Sequence, residues 1–142
     1  MEFVVSVDKS DESTAAVHEA AQLAETVGAS LTLVHTVQQN VIPSGSDGPI
    51  YEGLSKAEQR AEELLRGMES RLSEYDVSVS RELLYGGPVE AVVGYLEENQ
   101  PEAVYIGHRD IPSKQHELGG SFAKKLIGES PVPVTVVRQA SL

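Results

Sequence analysis

The chain has 142 residues, 40% of them apolar, which suits one domain (1–142) with a buried core and argues against disorder. Its formal net charge is −11, from 22 acidic against 11 basic residues. Such a surface disfavours nucleic-acid partners and suits a salt-rich medium that screens self-repulsion. Cysteine is absent, which excludes disulfides and thiolate chemistry.

No apolar run reaches the roughly 18 residues that a spanning helix needs, so no membrane partner is expected. The N-terminus lacks the basic stretch, apolar block and cleavage site of a secretory leader. A cytoplasmic location is the expectation.

In chain order, the first strand is FVVSV, Phe3 to Val7. A helix follows from about Ser10 to Val27, with Val17, Ala20, Ala21, Ala24 and Val27 at helical spacing. Ser10 is its candidate N-cap, and Gly28 its left-handed C-cap. LTLVHTV, Leu31 to Val37, is the second strand. The stretch QQNVIPSGSDGP, Gln38 to Pro49, is rich in Gly, Pro and Ser, and a loop of that length in a compact domain is usually functional. The second helix carries one apolar stripe: Leu54, Ala57, Ala61, Leu64, Leu65, Met68, Leu72 and Tyr75.

VSVSRELL, Val77 to Leu84, is the third strand. Pro88 opens the third helix, with Val89, Val92, Val93 and Leu96 on one side. AVYIG, Ala103 to Gly107, is the fourth strand. The fourth helix spans about Ser121 to Glu129, with Phe122, Leu126 and Ile127 expected to face inward. PVTVV, Pro133 to Val137, closes the series as the fifth strand.

Alternating strands and helices imply βαβ units with right-handed crossovers. The expected fold is α/β: a three-layer sandwich around a five-stranded parallel sheet, Rossmann-like in its layering. Ligands of such sheets bind beyond the strands' carboxyl ends, where the strand order reverses.

Two helix N-termini could receive an anion. Asp11 and Glu12 already complement the first. At the fourth, Gly119 and Gly120 allow close backbone approach, Ser121 offers a hydroxyl and an N–H, and Lys124 and Lys125 lie one turn further on. From spacing alone, Gly-Gly-Ser is more simply a plain turn with an N-cap. Neither G-x-x-x-x-G-K-[ST] nor G-x-G-x-x-G after the first strand is present.

Four features together carry a family resemblance: Asp8 closing the first strand in VVSVDKS, LVHTV closing the second, the turn Gly86–Gly87–Pro88, and the loop after the fourth strand. The chain resembles the universal stress proteins (UspA-like) along nearly its whole length. The nucleotide-binding branch of that family has G-x-x-G, nine residues, then G-[ST] in the last loop. Here Gly107, His108, Arg109 and Asp110 are followed by nine residues and then Gly120–Ser121.

The resemblance implies a fold similar to the adenine-nucleotide alpha-hydrolase arrangement, with an adenine nucleotide as ligand. Asp8 would contact its ribose or adenine end, backbone groups of His35 and Thr36 would lie near adenine, and Gly107, Gly120 and Ser121 would admit and bind the phosphates. It also implies a homodimer paired through the edge strand Val132 to Val137, and an unpaired apolar edge strand invites such pairing.

Asp110 departs from the pattern, because a carboxylate replaces the second glycine where the backbone approaches the phosphates. Both its bulk and its charge oppose ATP. Arg109 could offset the charge, or Asp110 could reach a bound Mg²⁺ through water.

Plainer readings stand beside these. Asp8 can cap the first helix or turn. His35 can be a satisfied core histidine. Lys124 and Lys125 can be the exposed face of a helix. His35, His108, Asp8 and Asp110 could share one sheet edge, yet no metal-ligand spacing supports a metal site. No nucleophile–base–orienter set is visible, so catalysis, at most slow ATP hydrolysis, is not expected.

Three functions follow: a nucleotide-regulated dimeric stress-response module, a nucleotide-free dimeric interaction protein of the same family, or a nucleotide hydrolase of this layered fold. The last lacks a catalytic signature.

Overall fold

The computed structural model describes residues 1–37, 50–108 and 121–138. Arg109, Asp110, Gly119, Gly120 and the loop 38–49 lie outside the described residues, as do the side chains of Leu54 and Ser121. In chain order the elements are β1 Glu2–Ser6, α1 Asp11–Val27, β2 Ser30–Val37, α2 Ile50–Ser70, β3 Val79–Tyr85, α3 Pro88–Asn99, β4 Ala103–Gly107, α4 Ser121–Glu129 and β5 Val134–Val137.

The sheet is entirely parallel, with strand order β3-β2-β1-β4-β5. β1 pairs with β2 on one side and with β4 on the other. The order therefore reverses between β1 and β4, and this places the crevice of a doubly wound sheet. Both strands are covered on both faces, as their continuous apolar runs require.

Strand alternation sends side chains into two cores. Phe3, Val5, Leu31, Leu33 and Tyr105 pack beneath α1 and α2, against Ala16, Val17, Ala20, Leu65 and Met68. Val4, Val34, Val104 and Ile106 pack on the opposite face against Val92 and Leu96 of α3 and Leu126 of α4. Each fully buried Leu or Ile contributes about 1.5–3 kcal/mol over an exposed one, so both layers matter to stability. The face of α1 is mostly alanine, which lets the helix lie close to the sheet.

Caps set the limits of α1. The Ser10 side chain accepts a hydrogen bond from Ser13 N–H, and Gly28 closes the helix in the left-handed region at φ 75°. Pro88 opens α3 in its first turn.

Strand ends shift by one or two residues from the sequence expectation, and α2 and one side chain of α4 differ more. α2 starts at Ile50, so residues 50–54 belong to a helix and not to the preceding loop. It ends at Ser70, although Leu72 stays buried and Tyr75 half-buried in the turn beyond, so the stripe outlasts the helix. β3 begins at Val79, not Val77. Ile127 is 55% exposed, because α4 turns Ala123 and Leu126 toward the sheet and leaves Ile127 outward.

Candidate functional site

The carboxyl end of β1 is fastened by a ring of three hydrogen bonds. Ser10 N–H donates to Asp8 Oδ1 (2.7 Å), Ser13 N–H to Ser10 Oγ (3.1 Å), and Asp8 N–H to Ser13 Oγ (2.8 Å). Short polar side chains close such turns because they reach backbone groups two or three residues away. The capping role expected of Asp8 is present, and its residue stays exposed at the rim.

Gly107 ends β4 beside the first turn of α1. A Cβ there would lie 2.3 Å from the carbonyl carbon of Glu12 and 2.4 Å from the nitrogen of Ser13. Both are backbone atoms and cannot swing aside. This glycine is therefore required by helix-on-strand packing, whatever else approaches it.

His35 lies near the end of β2, half-buried, with Nδ1 2.6 Å from the carbonyl oxygen of Val7. A carbonyl only accepts, so Nδ1 carries the proton. In the neutral ring Nε2 is then an acceptor. Thr36 is buried, and strand alternation places it on the opposite face from His35.

Asp8 and His35 line one cleft of about 280 Å³ with Lys9 and with Ala57, Arg60, Ala61 and Leu64 of α2. That volume lies near the lower end for ligand clefts, roughly 300 Å³, and suits a nucleoside. The α2 wall follows i, i+3, i+4, i+7 spacing, so Arg60 interrupts an otherwise apolar strip. Among the described residues neither Lys9 nor Arg60 forms an ion pair. Sequence reasoning passed over both. A cation within the apolar stripe of α2 was the signal available for Arg60.

Larger grooves, of about 380 and 510 Å³, run along β3 and α2. There Arg81 is paired with Glu69 at 2.9 Å and Arg66 with Glu62 at 3.4 Å. Beyond them Tyr85 donates its hydroxyl to Glu58; that bond, then burial, then the charges of Glu58 and Glu62 raise the phenol above its ordinary pKa. The β3 edge is thus acidic, and its cations are engaged. An anionic ligand is better served by the cleft at Asp8, Lys9, His35 and Arg60.

α4 begins at Ser121 and packs on the α3 face of the sheet, with Lys124 and Lys125 exposed. A ligand reaching from the cleft to the start of α4 must cross the sheet edge over β1 and β4. Among the described residues no group of three or more His, Asp or Glu could hold a metal ion.

The sequence profile of the universal stress protein family matches residues 1–138. The chain belongs to the universal stress protein family. A relative, stress response protein NhaX of Bacillus subtilis (strain 168), is 25% identical over 96% of each chain. In fold, the chain is similar to universal stress protein UspA from Lactobacillus plantarum, with a TM-score of 0.82 and 23% identity over 97% of each chain. It is similar also to the universal stress protein of Archaeoglobus fulgidus in complex with dAMP, with a TM-score of 0.72 and 24% identity over 96% of this chain and 97% of that one. Other solved structures of this family hold cAMP or AMP.

Gly107→Ala tests the packing constraint. Overpacking against backbone costs about 2 kcal/mol or more, which lowers the melting temperature by about 5 °C or more in a chain of this size. An unchanged melting curve would show that β4 and α1 separate at no cost.

Proposed function

We propose that this family member binds an adenine nucleotide, ATP by the loop pattern, across the carboxyl edge of its sheet. The observation that carries this reading is the convergence of Asp8, His35 and Gly107 on the end of the sheet where the strand order reverses. Beside them lies a cleft bearing two cations, Lys9 and Arg60, that form no ion pair among the described residues. Relatives of the same fold that hold dAMP, cAMP or AMP support it.

In this reading the base and ribose occupy the cleft, between the apolar strip of α2 and the ends of β1 and β2. Lys9 and Arg60 favour the ligand's negative charge from its mouth. The phosphates pass over Gly107 toward Arg109, Gly120 and Ser121, where backbone amides at the start of α4 suit an anion. Mg²⁺ would ride on the phosphates. Its chemistry there is charge neutralisation. Asp110 takes the place of a glycine in the phosphate-binding loop pattern, and its charge would weaken the site by repulsion. The reading requires binding, not turnover.

The module works as a cytoplasmic homodimer in the stress response, its conformation or partner choice set by the nucleotide. β5 is an edge strand. The carbonyls of Pro133 and Val137 accept from the N–H groups of Val104 in β4 and of His108 just beyond it. By alternation, the backbone groups of Val134 and Val136 point to the open edge. Exposed Ile127 on the neighbouring helix extends an apolar surface there.

Calorimetric titration with Mg·ATP and with AMP tests the binding reading. The expected result is saturable binding, and Asp110→Gly should tighten ATP about ten-fold by removing one close like charge. A silent titration with both proteins, and no nucleotide extracted from fresh protein, would instead favour the nucleotide-free interaction protein.

Sedimentation tests the dimer. The wild type is expected at twice the chain mass, and Val136→Pro, which deletes an outward N–H, at the chain mass with its circular dichroism retained. A monomeric wild type would refute the β5 interface.

A further inference from the structure

β3 ends the sheet on the side opposite β5, and among the described residues no strand pairs with its outer side. Leu31 N–H of β2 donates to the Ser78 carbonyl at 2.8 Å. In a parallel ladder alternate residues turn the same way, so Ser80, Glu82 and Leu84 present their backbone groups to β2. Val79, Arg81, Leu83 and Tyr85 present theirs to the open edge. Ser80, Arg81 and Glu82 are exposed.

A groove lies on each face of this edge. On the α2 side, a groove of about 380 Å³ has Leu65, Val79 and Leu83 in its wall. Its carboxylates Glu62 and Glu69 are already paired with Arg66 and Arg81. On the α3 side, a groove of about 480 Å³ carries Glu90, Glu97 and Glu98 beside Leu84 and Tyr95, with no cation in its lining. Alternation puts Glu82 on that face with Leu84, which packs against the α3 core. Among the described residues none of these four carboxylates forms an ion pair. A strand laid on β3 thus meets an apolar, charge-balanced wall on one face and an unbalanced acidic wall on the other.

We infer that the β3 edge docks an extended peptide of alternating basic and apolar residues, added to the sheet as a further strand. Backbone hydrogen bonds to the outward groups of Arg81 and Leu83 hold it, and the side-chain alternation sets which peptide fits. Its basic residues lie along Glu82, Glu90, Glu97 and Glu98, and its apolar ones along Leu65, Val79 and Leu83. Edge charges also deter unwanted pairing. Here they deter a second copy, whose own β3 brings the same carboxylates, and leave a basic strand as the one that fits. This site is separate from the nucleotide cleft and does not depend on it.

The probe is a fluorescent, end-capped octapeptide of alternating lysine and valine, titrated with the full chain in about 0.15 M salt, where loose surface attraction is screened. It is expected to bind about ten-fold tighter than the same residues arranged as a lysine block and a valine block. Of its two versions N-methylated at every lysine or at every valine, one should lose about ten-fold and the other keep its affinity, because only one set of amides faces β3. Glu82→Gln with Glu90→Gln should weaken binding about five-fold, as two exposed ion pairs would. Arg81→Pro deletes an outward N–H together with a positive charge. Strand addition predicts about ten-fold weaker binding to it, whereas charge attraction alone predicts tighter binding.

No binding of the alternating peptide overturns the inference. Equal binding of the block peptide, or of both methylated versions, overturns it in favour of charge attraction alone, as does a tighter Arg81→Pro complex. Self-association of the chain alone that Arg81→Pro abolishes overturns it in favour of a second copy. If Arg81→Pro does not fold, the methylated pair still decides, because it leaves the protein unchanged.

Discussion

The approach of β4 to the first turn of α1 is the constraint on which the site depends. Gly107 places its α-carbon where any side chain would strike the backbone of Glu12 and Ser13. The alanine face of α1, with Ala16, Ala20, Ala21 and Ala24 fully buried, continues the same close approach along the helix. A helix held this near the sheet brings its N-terminal turn to the switch point. That turn contains Ser13, whose hydroxyl and N–H complete the ring around Asp8. The geometry at the end of β1 thus follows from packing between β4 and α1, two elements far apart in sequence.

β2 joins this arrangement through a second tie. Val7 N–H donates to the Val34 carbonyl at 2.8 Å, and the Val7 carbonyl accepts from His35 Nδ1. Val7, one residue past the end of β1, is thereby tied to β2 through both its N–H and its carbonyl. α2 then supplies a wall of alternating small and long side chains, Ala57, Arg60, Ala61 and Leu64. The cleft is built mostly on regular elements, which hold side chains more tightly than loops do.

Much of this was legible in the sequence. β1 and β4 read as apolar runs because both their faces are covered, and α1 announced its ends through Ser10 and Gly28. The all-parallel layered fold and the family followed from strand and helix alternation together with the loop spacing. Periodicity, however, reports burial and not helicity. Leu72 and Tyr75 extended the stripe of α2 because the turn after the helix still packs on the core. Ile127 misled for the converse reason: a short helix at the edge of the sheet has room to bury only part of its apolar surface. The packing role of Gly107 was not legible, since its partners stand nearly a hundred residues earlier. Arg60 was hidden by the apolar stripe in which it sits.

The central claim is that the ligand lies where β1, β2 and β4 end and not in the larger grooves beside β3. The most direct measurement is an amide chemical-shift titration of the labelled chain with AMP. The account predicts shifts concentrated at Lys9, His35, Thr36 and His108, with Ser70, Arg81 and Glu82 unmoved. Shifts clustered at Arg81 and Glu82, with the β1 and β2 ends silent, would contradict it.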